Sequence, residues 1–155
     1  MKEWHDASGN QVSENTLFCE IASHVDSDGK VFIGTDSTLK GGTCIFASSI
    51  CLHGAKGQRG GRYFFKRKKD SKKSFEVLRL RITQEVQISI DIGLKILEKD
   101  PNIDIEIHID IGTTHRSKTR DLVDMMMAWT KSIGFKCKVK PYAWASASVA
   151  DKHTK

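Results

Sequence analysis

Between residues 103 and 112 the chain reads Ile103-Asp-Ile-Glu-Ile-His-Ile-Asp110-Ile111-Gly112, with isoleucine at every odd position. Only an extended strand, whose successive side chains point to opposite faces, puts all these isoleucines on one side. One face is therefore predicted to be core, and the other carries Asp104, Glu106, His108 and Asp110. The strand ends on a carboxylate. A second stretch, Val31-Phe-Ile-Gly-Thr-Asp36-Ser37, is built alike: strand-forming residues run into a glycine and end at Asp36. Taken alone, Asp36-Ser37-Thr38 also suits the start of a plain turn, because Asp and Ser favour turns. Two such strands in one chain shift the balance towards a shared use for their carboxylates.

The segments between them dictate how those strands meet. Gly41-Gly42 turns the first strand into a second over Thr43 to Leu52, and a glycine-rich loop, Gly54 to Gly61, leads to a third over Arg62 to Lys66. Such short connections argue for an antiparallel meander. A helix is predicted over roughly Lys72 to Glu98, where Phe75, Leu78, Ile82, Val86, Gly93 and Leu97 recur at helical spacing. Glu85 and Ser89 fall on that buried face, where a glutamate is costly unless a partner answers it. Glu76 falls in the first turn, where the helix dipole alone accounts for it. A strand, a long helix and a strand form a crossover, so the isoleucine strand should lie parallel to an earlier one. Beside the first strand, it brings Asp36 and Asp110 to the same sheet end, where open sheets bind ligands.

The rest of the chain fills in around this frame. Met1 to Ser13 reads as irregular, and Asn15 as the cap of a short helix with Leu17, Phe18, Ile21, Ala22 and Val25 inward. The polar loop Thr113 to Lys118 precedes a helix to about Ser132, with Leu122, Met126, Trp129 and Ile133 inward. Its methionines are read as core filler. A fifth strand follows at Lys136-Cys-Lys-Val-Lys140, its lysines on one face, stopped by Pro141. The tail can form a short helix that returns Asp151 and His153 to the site. The expected organisation is an extension over 1–29 carrying one short helix and a compact domain over 30–155.

Charge and cysteines narrow the function classes. The net charge is +6, yet Arg59 to Lys73 holds eight lysines and arginines against Asp70 alone, so the basicity is local. A patch of one sign steers polyanions, although a lysine-rich run also occurs as a merely solvated loop. Cys19, Cys44, Cys51 and Cys137 show no metal-ligand spacing and read as reduced packing residues. No apolar run spans a bilayer and no leader is evident, so the expected location is cytoplasmic, with neither a membrane nor an obligate protein partner.

Converging carboxylates repel one another unless a divalent cation screens them, and an all-oxygen donor set suits Mg²⁺ or Mn²⁺. Two such ions, about 4 Å apart and bridged by an aspartate, activate water and stabilise the leaving oxygen in phosphodiester cleavage. With the basic patch to hold a polyanion, the expectation is a nuclease on RNA, DNA or a hybrid. Arg62, Lys66, Arg67, Lys68, Lys69, Arg116 and Lys118 are the expected nucleic-acid contacts, and Ser37 and His153 the accessory candidates.

The order of parts resembles the ribonuclease-H-like fold: a strand with Asp, a meander, a helix with Glu, a parallel strand with Asp and a terminal Asp segment. More closely, Ile33-Gly-Thr-Asp36-Ser37, Arg81-Ile-Thr-Gln-Glu85, His108-Ile-Asp-Ile-Gly112, Lys118-Thr-Arg120, Lys138-Val-Lys-Pro141 and the run Ala147 to Lys155 resemble the YkuK-type family of ribonuclease-H-like proteins. The likeness covers residues 30 to 155. It implies an α/β fold with a mixed five-stranded sheet, strands 1–3 antiparallel and two more parallel. It also implies Asp36, Glu85 and Asp110 as metal ligands and catalytic residues, with Asp151 as the fourth. Two other readings stand beside it. One is the same fold gripping nucleic acid without cutting it, since fold does not guarantee activity. The other is an actin-like or sugar-kinase-type phosphate-binding protein, suggested by Ile109-Asp-Ile-Gly-Thr-Thr114; but there the motif opens the domain, whereas here it lies in the fourth strand.

Overall fold

The computed structural model describes residues 3–112 and 120–155. Arg116 and Lys118, expected to touch nucleic acid, lie outside the described residues. The N-terminal residues expected to be irregular instead form two short strands, β1 (Trp4–Asp6) and β2 (Gln11–Val12), paired antiparallel. Strands of three and two residues are too short to show a period, and their existence depends on a distant edge that accepts them. The first helix, α1 (Glu14–Asp26), is capped by Ser13 rather than Asn15, the Ser13 side chain accepting from the Thr16 N–H. Leu17 and Ile21 are buried as expected, but His24 completes the inward face and Ala22 is exposed.

Strands β3 (Lys30–Lys40), β4 (Thr43–His53) and β5 (Arg62–Ser71) make the expected meander, with register pairs running from Lys30–His53 to Lys40–Thr43. Gly41, at φ +62°, supplies the left-handed residue that the two-residue turn needs. β1 adds to the free edge of β5 through His5–Phe65 and Asp6–Phe64.

The second helix, α2 (Leu78–Lys99), begins six residues later than its apolar spacing suggests. Lys72–Ser74 form a single 3-10 turn, Leu78 is exposed, and Glu76 precedes the helix instead of sitting in its first turn. The inward face is Ile82, Glu85, Val86, Ser89, Ile90, Gly93 and Ile96. Beyond α2 the chain enters β6 (Ile105–Ile109), which lies parallel to β3. Helix α3 (Arg120–Ser132) then leads to β7 (Lys136–Val139), parallel to β6. The sheet has seven strands in the order β2-β1-β5-β4-β3-β6-β7, two more than expected, both contributed by the N-terminal hairpin.

Alternation sorts the two faces. Val31, Ile33 and the isoleucines of β6 point into one core with Ile82, Val86 and Ile90 of α2, Leu122 and Met126 of α3, and Leu17 and Ile21 of α1. The opposite face of β3 and β4 is covered by the C-terminal segment, a π-helical stretch Ala145–Ala150 followed by a 3-10 turn Asp151–His153. Three cysteines are buried as expected; Cys19 is exposed, so packing does not explain it. Among the described residues, no helix is long and apolar enough to cross a membrane.

Candidate carboxylate site

The parallel pairing of β3 and β6 places Thr35 opposite Ile109, so the next residues, Asp36 and Asp110, leave the sheet as neighbours at one end. Strands in a sheet are about 4.8 Å apart, which brings the two carboxylates into mutual range. Both aspartates lie on the face opposite α2, in the series of Gly34 and His108.

That face is open at Gly34 for a definite reason. A Cβ there would stand 2.3 Å from the Ser146 backbone nitrogen and 2.4 Å from the Ala145 carbonyl carbon. The glycine thus lets the C-terminal segment lie directly on β3. Ser49 donates to the Ala145 carbonyl at 2.8 Å, and the Ala145 N–H donates to His108 Nδ1 at 3.0 Å. With Nδ1 accepting, the His108 proton sits on Nε2 and is given to Glu106 at 2.7 Å. Burial lowers the pKa of this ring, in keeping with a neutral imidazole that anchors the tail. The segment so held delivers Asp151, whose side chain shares a hydrogen bond with Asp36.

Asp36 is only 8% exposed, and its pKa is pushed up to about 8. Burial is the main cause, followed by the hydrogen bond with Asp151 and the charge of Asp110. Glu85 approaches from the other side of the sheet. The Ser37 hydroxyl donates to its Oε1, and one helical turn on, the Ser89 hydroxyl meets that of Thr35 at 2.7 Å. Hydroxyls therefore answer both polar residues on the α2 core face, and the charge of Arg81 adds to the Ser37 hydroxyl in favouring the ionised form of Glu85. Burial holds the Glu85 pKa well above the carboxylate range; Ser37 opposes that shift, while Asp36 and Asp110 reinforce it. Glu85, not the exposed Glu76, is thus the helix carboxylate that feels the two aspartates.

Sequence reasoning assigned no role to Lys140. Its Nζ forms an ion pair with Asp110 Oδ1 at 2.8 Å, a buried oxygen that has no hydrogen-bond partner of its own among the described residues. The signal was present: β7 carries lysines on alternate positions, and the register sets them against the alternating polar face of β6. Lys136 likewise reaches Asp104 at 2.7 Å.

The other expected contacts divide. On β5, Tyr63, Phe65, Arg67 and Lys69 share the face of the C-terminal segment, whereas Arg62, Lys66 and Lys68 point to the helix side. Arg62 is paired with Glu20 at 2.6 Å, and Lys66 lies over the Trp4 ring at 5.7 Å. Lys66, Arg67 and Lys68 also border a cavity of about 240 Å³ between α1, α2 and the sheet; none of the four carboxylates lines it. His153 is not brought to the carboxylates. It stacks on Phe65 with centroids 3.7 Å apart and meets the Tyr63 hydroxyl at 3.0 Å.

The chain matches the Ribonuclease H-like family over residues 14–155. It belongs to that family. The resemblance read from the sequence therefore holds, and the match begins inside the segment expected to be an extension. No curated protein and no solved structure matches the chain.

Within this ribonuclease-H-like chain the donor chemistry fits a hard divalent cation: all four groups are carboxylates, and contacts with Asp151 and Asp110 both help to raise the Asp36 pKa. The described side chains are not, however, gathered around one common point. Among the described residues, no three His, Cys, Asp or Glu groups are arranged to hold one ion. Asp110 is engaged by Lys140 and Glu85 by Ser37.

Proposed function

We propose that this ribonuclease-H-like protein is a divalent-metal-dependent nuclease that hydrolyses phosphodiester bonds. The observation that carries the reading is the placement of Asp36 and Asp110 at neighbouring ends of parallel strands, with Asp151 bonded to Asp36. Such a grouping costs stability in the absence of a counter-charge, because burial and mutual repulsion oppose ionisation. Asp36 and Asp151 would hold Mg²⁺ or Mn²⁺, which would supply Lewis-acid chemistry against the charge that builds on a phosphodiester during cleavage. Asp110 and Glu85 complete the anionic cluster, and Ser37 fixes the orientation of Glu85. Arg67 and Lys69 share the sheet face of Asp36, which supports their role as the groups that hold the phosphate backbone.

The test is incubation of clean protein with single-stranded RNA, single-stranded DNA and an RNA–DNA hybrid, with and without Mn²⁺. Metal-dependent cleavage of at least one substrate is expected, lost in Asp110→Asn and in Glu85→Gln, with both variants folded. Absence of cleavage in all three removes the catalytic reading.

A second reading, a nucleic-acid-binding module that does not cut, is favoured by the partners already held by Asp110 and Glu85. It predicts salt-dependent binding of nucleic acid by wild-type protein without any product.

A further inference from the structure

We propose that the cavity between α1, α2 and the sheet binds a small monocarboxylate with an apolar, ring-sized body, its carboxylate held by Lys66 and its body by the cavity walls. The inference goes beyond the nuclease reading and does not depend on it, since none of the four carboxylates borders this space. Strand alternation builds the site. Ser48 and Lys66 are register partners, as are Phe46 and Lys68, so all four turn to the helix side of the sheet. Leu17 of α1 and Ile96 of α2 complete the apolar lining with Phe46 and Ile50, and each of these is at most 1% exposed. Trp4 of β1 adds an aromatic wall. The volume is about 240 Å³. An apolar cavity of about 150 Å³ takes up one benzene, so this space suits a single ring with a short acid chain.

The cations on its border are not alike. Lys95 is paired with Glu14 at 3.4 Å, a bridge from α2 to α1, and the exposed Lys68 faces Asp70 at 3.9 Å. Arg67 belongs to the opposite face of β5. Lys66 forms no ion pair among the described residues; its half-buried ammonium lies over the Trp4 ring at 5.7 Å. Burial, and then the charge of Lys95, lower its pKa, with Glu14 and Glu3 opposing them only in part. An ammonium short of a counter-charge beside an apolar cavity favours an anion that brings its own apolar surface. The carboxylate gains a charge-assisted hydrogen bond, and the ring leaves water for the walls. A neutral ring would gain only the second of these, and a bare inorganic anion only the first.

The experiment titrates full-length protein with phenylacetate and with its neutral counterpart phenylethanol, by calorimetry and by methyl NMR of isoleucine-labelled chain. Saturable binding of phenylacetate is expected with a Kd of about 1 mM or tighter. Shifts should centre on the methyls of Ile50, Ile88, Ile92 and Ile96, which line the cavity. Phenylethanol should bind about tenfold more weakly, and Lys66→Met should weaken phenylacetate by a similar factor while leaving phenylethanol unchanged. Circular dichroism checks that the variant is folded, and the comparison of the two probes on wild type needs no variant at all. Equal affinity for acid and alcohol, undiminished phenylacetate binding in folded Lys66→Met, shifts confined to methyls outside the cavity, or no saturation by about 10 mM would each overturn the assignment. Loss of nuclease activity or of Mn²⁺ binding would leave it standing.

Discussion

Thr35 of β3 is the register partner of Ile109 of β6, and the next residue on each strand is an aspartate. That one relationship makes Asp36 and Asp110 neighbours and sets the electrostatics of the whole sheet end. The pKa of Asp36, pushed up from 3.8 to about 8, has a definite consequence for stability. Between those pH values the folded chain keeps a proton that the unfolded chain has lost, so this group lowers stability as pH rises through the window. Asp36→Asn should flatten that part of the pH profile. At pH 8 without metal it should be more stable than wild type by about 1 kcal/mol or more, roughly 3 °C in Tm. Mn²⁺ should raise the Tm of wild type but not of the variant. Thermal melts from pH 4 to 9, with and without Mn²⁺, measure all three.

His108 carries the opposite sign. Burial depresses its pKa below 6.5, so its contribution is fully present above that value and is lost as pH falls below it. His108→Ala leaves the Ala145 N–H and Glu106 without their partner, at a cost of about 2 kcal/mol or more near neutral pH. That cost should shrink as the pH is lowered towards 5. Urea titrations of both proteins at several pH values give the comparison; a cost that does not change with pH counts against a buried neutral ring.

Gly34 tests whether the C-terminal segment belongs to the site. In Gly34→Ala the new methyl meets backbone of Ala145 and Ser146, which cannot swing aside as a side-chain tip would. The segment must lift, taking Asp151 from Asp36. Destabilisation of about 2–3 kcal/mol is expected, together with loss of Mn²⁺-induced stabilisation. The check is a pair of melts at one pH. A variant that keeps its full response to Mn²⁺ shows that Asp151 is not needed for the ion.

The basic strand offers an internal control, because alternation puts its charges on two faces. Replacing Arg67 and Lys69 with Ser should weaken nucleic-acid binding for every sequence and lower the log–log salt slope by about 2. The same change at Lys66 and Lys68, on the helix side of β5, should leave the slope nearly unchanged. Binding isotherms of single-stranded RNA at several salt concentrations separate the two pairs. Equal loss from both pairs would mean that the nucleic acid wraps the strand edge.

The local period of the sequence determined the isoleucine strand and the core face of α2 with Glu85 on it, short glycine turns determined the meander, and local composition the basic run. Each of these is legible without knowing what lies opposite. The parallel crossover also followed, since a long helix between strands leaves little choice of arrangement. The tertiary structure decided what depends on pairing across the chain. Strands as short as β1 and β2 form because β5 offers an edge. Glu85 tolerates burial because Ser37, 48 residues earlier, donates to it. His108 turns inward to hold Ala145, and His153 settles on Phe65 instead of the carboxylates. Lys140 reaches Asp110 only through the register of β6 and β7. A period describes which face a residue occupies; the partner waiting on that face is fixed only when separate strands align.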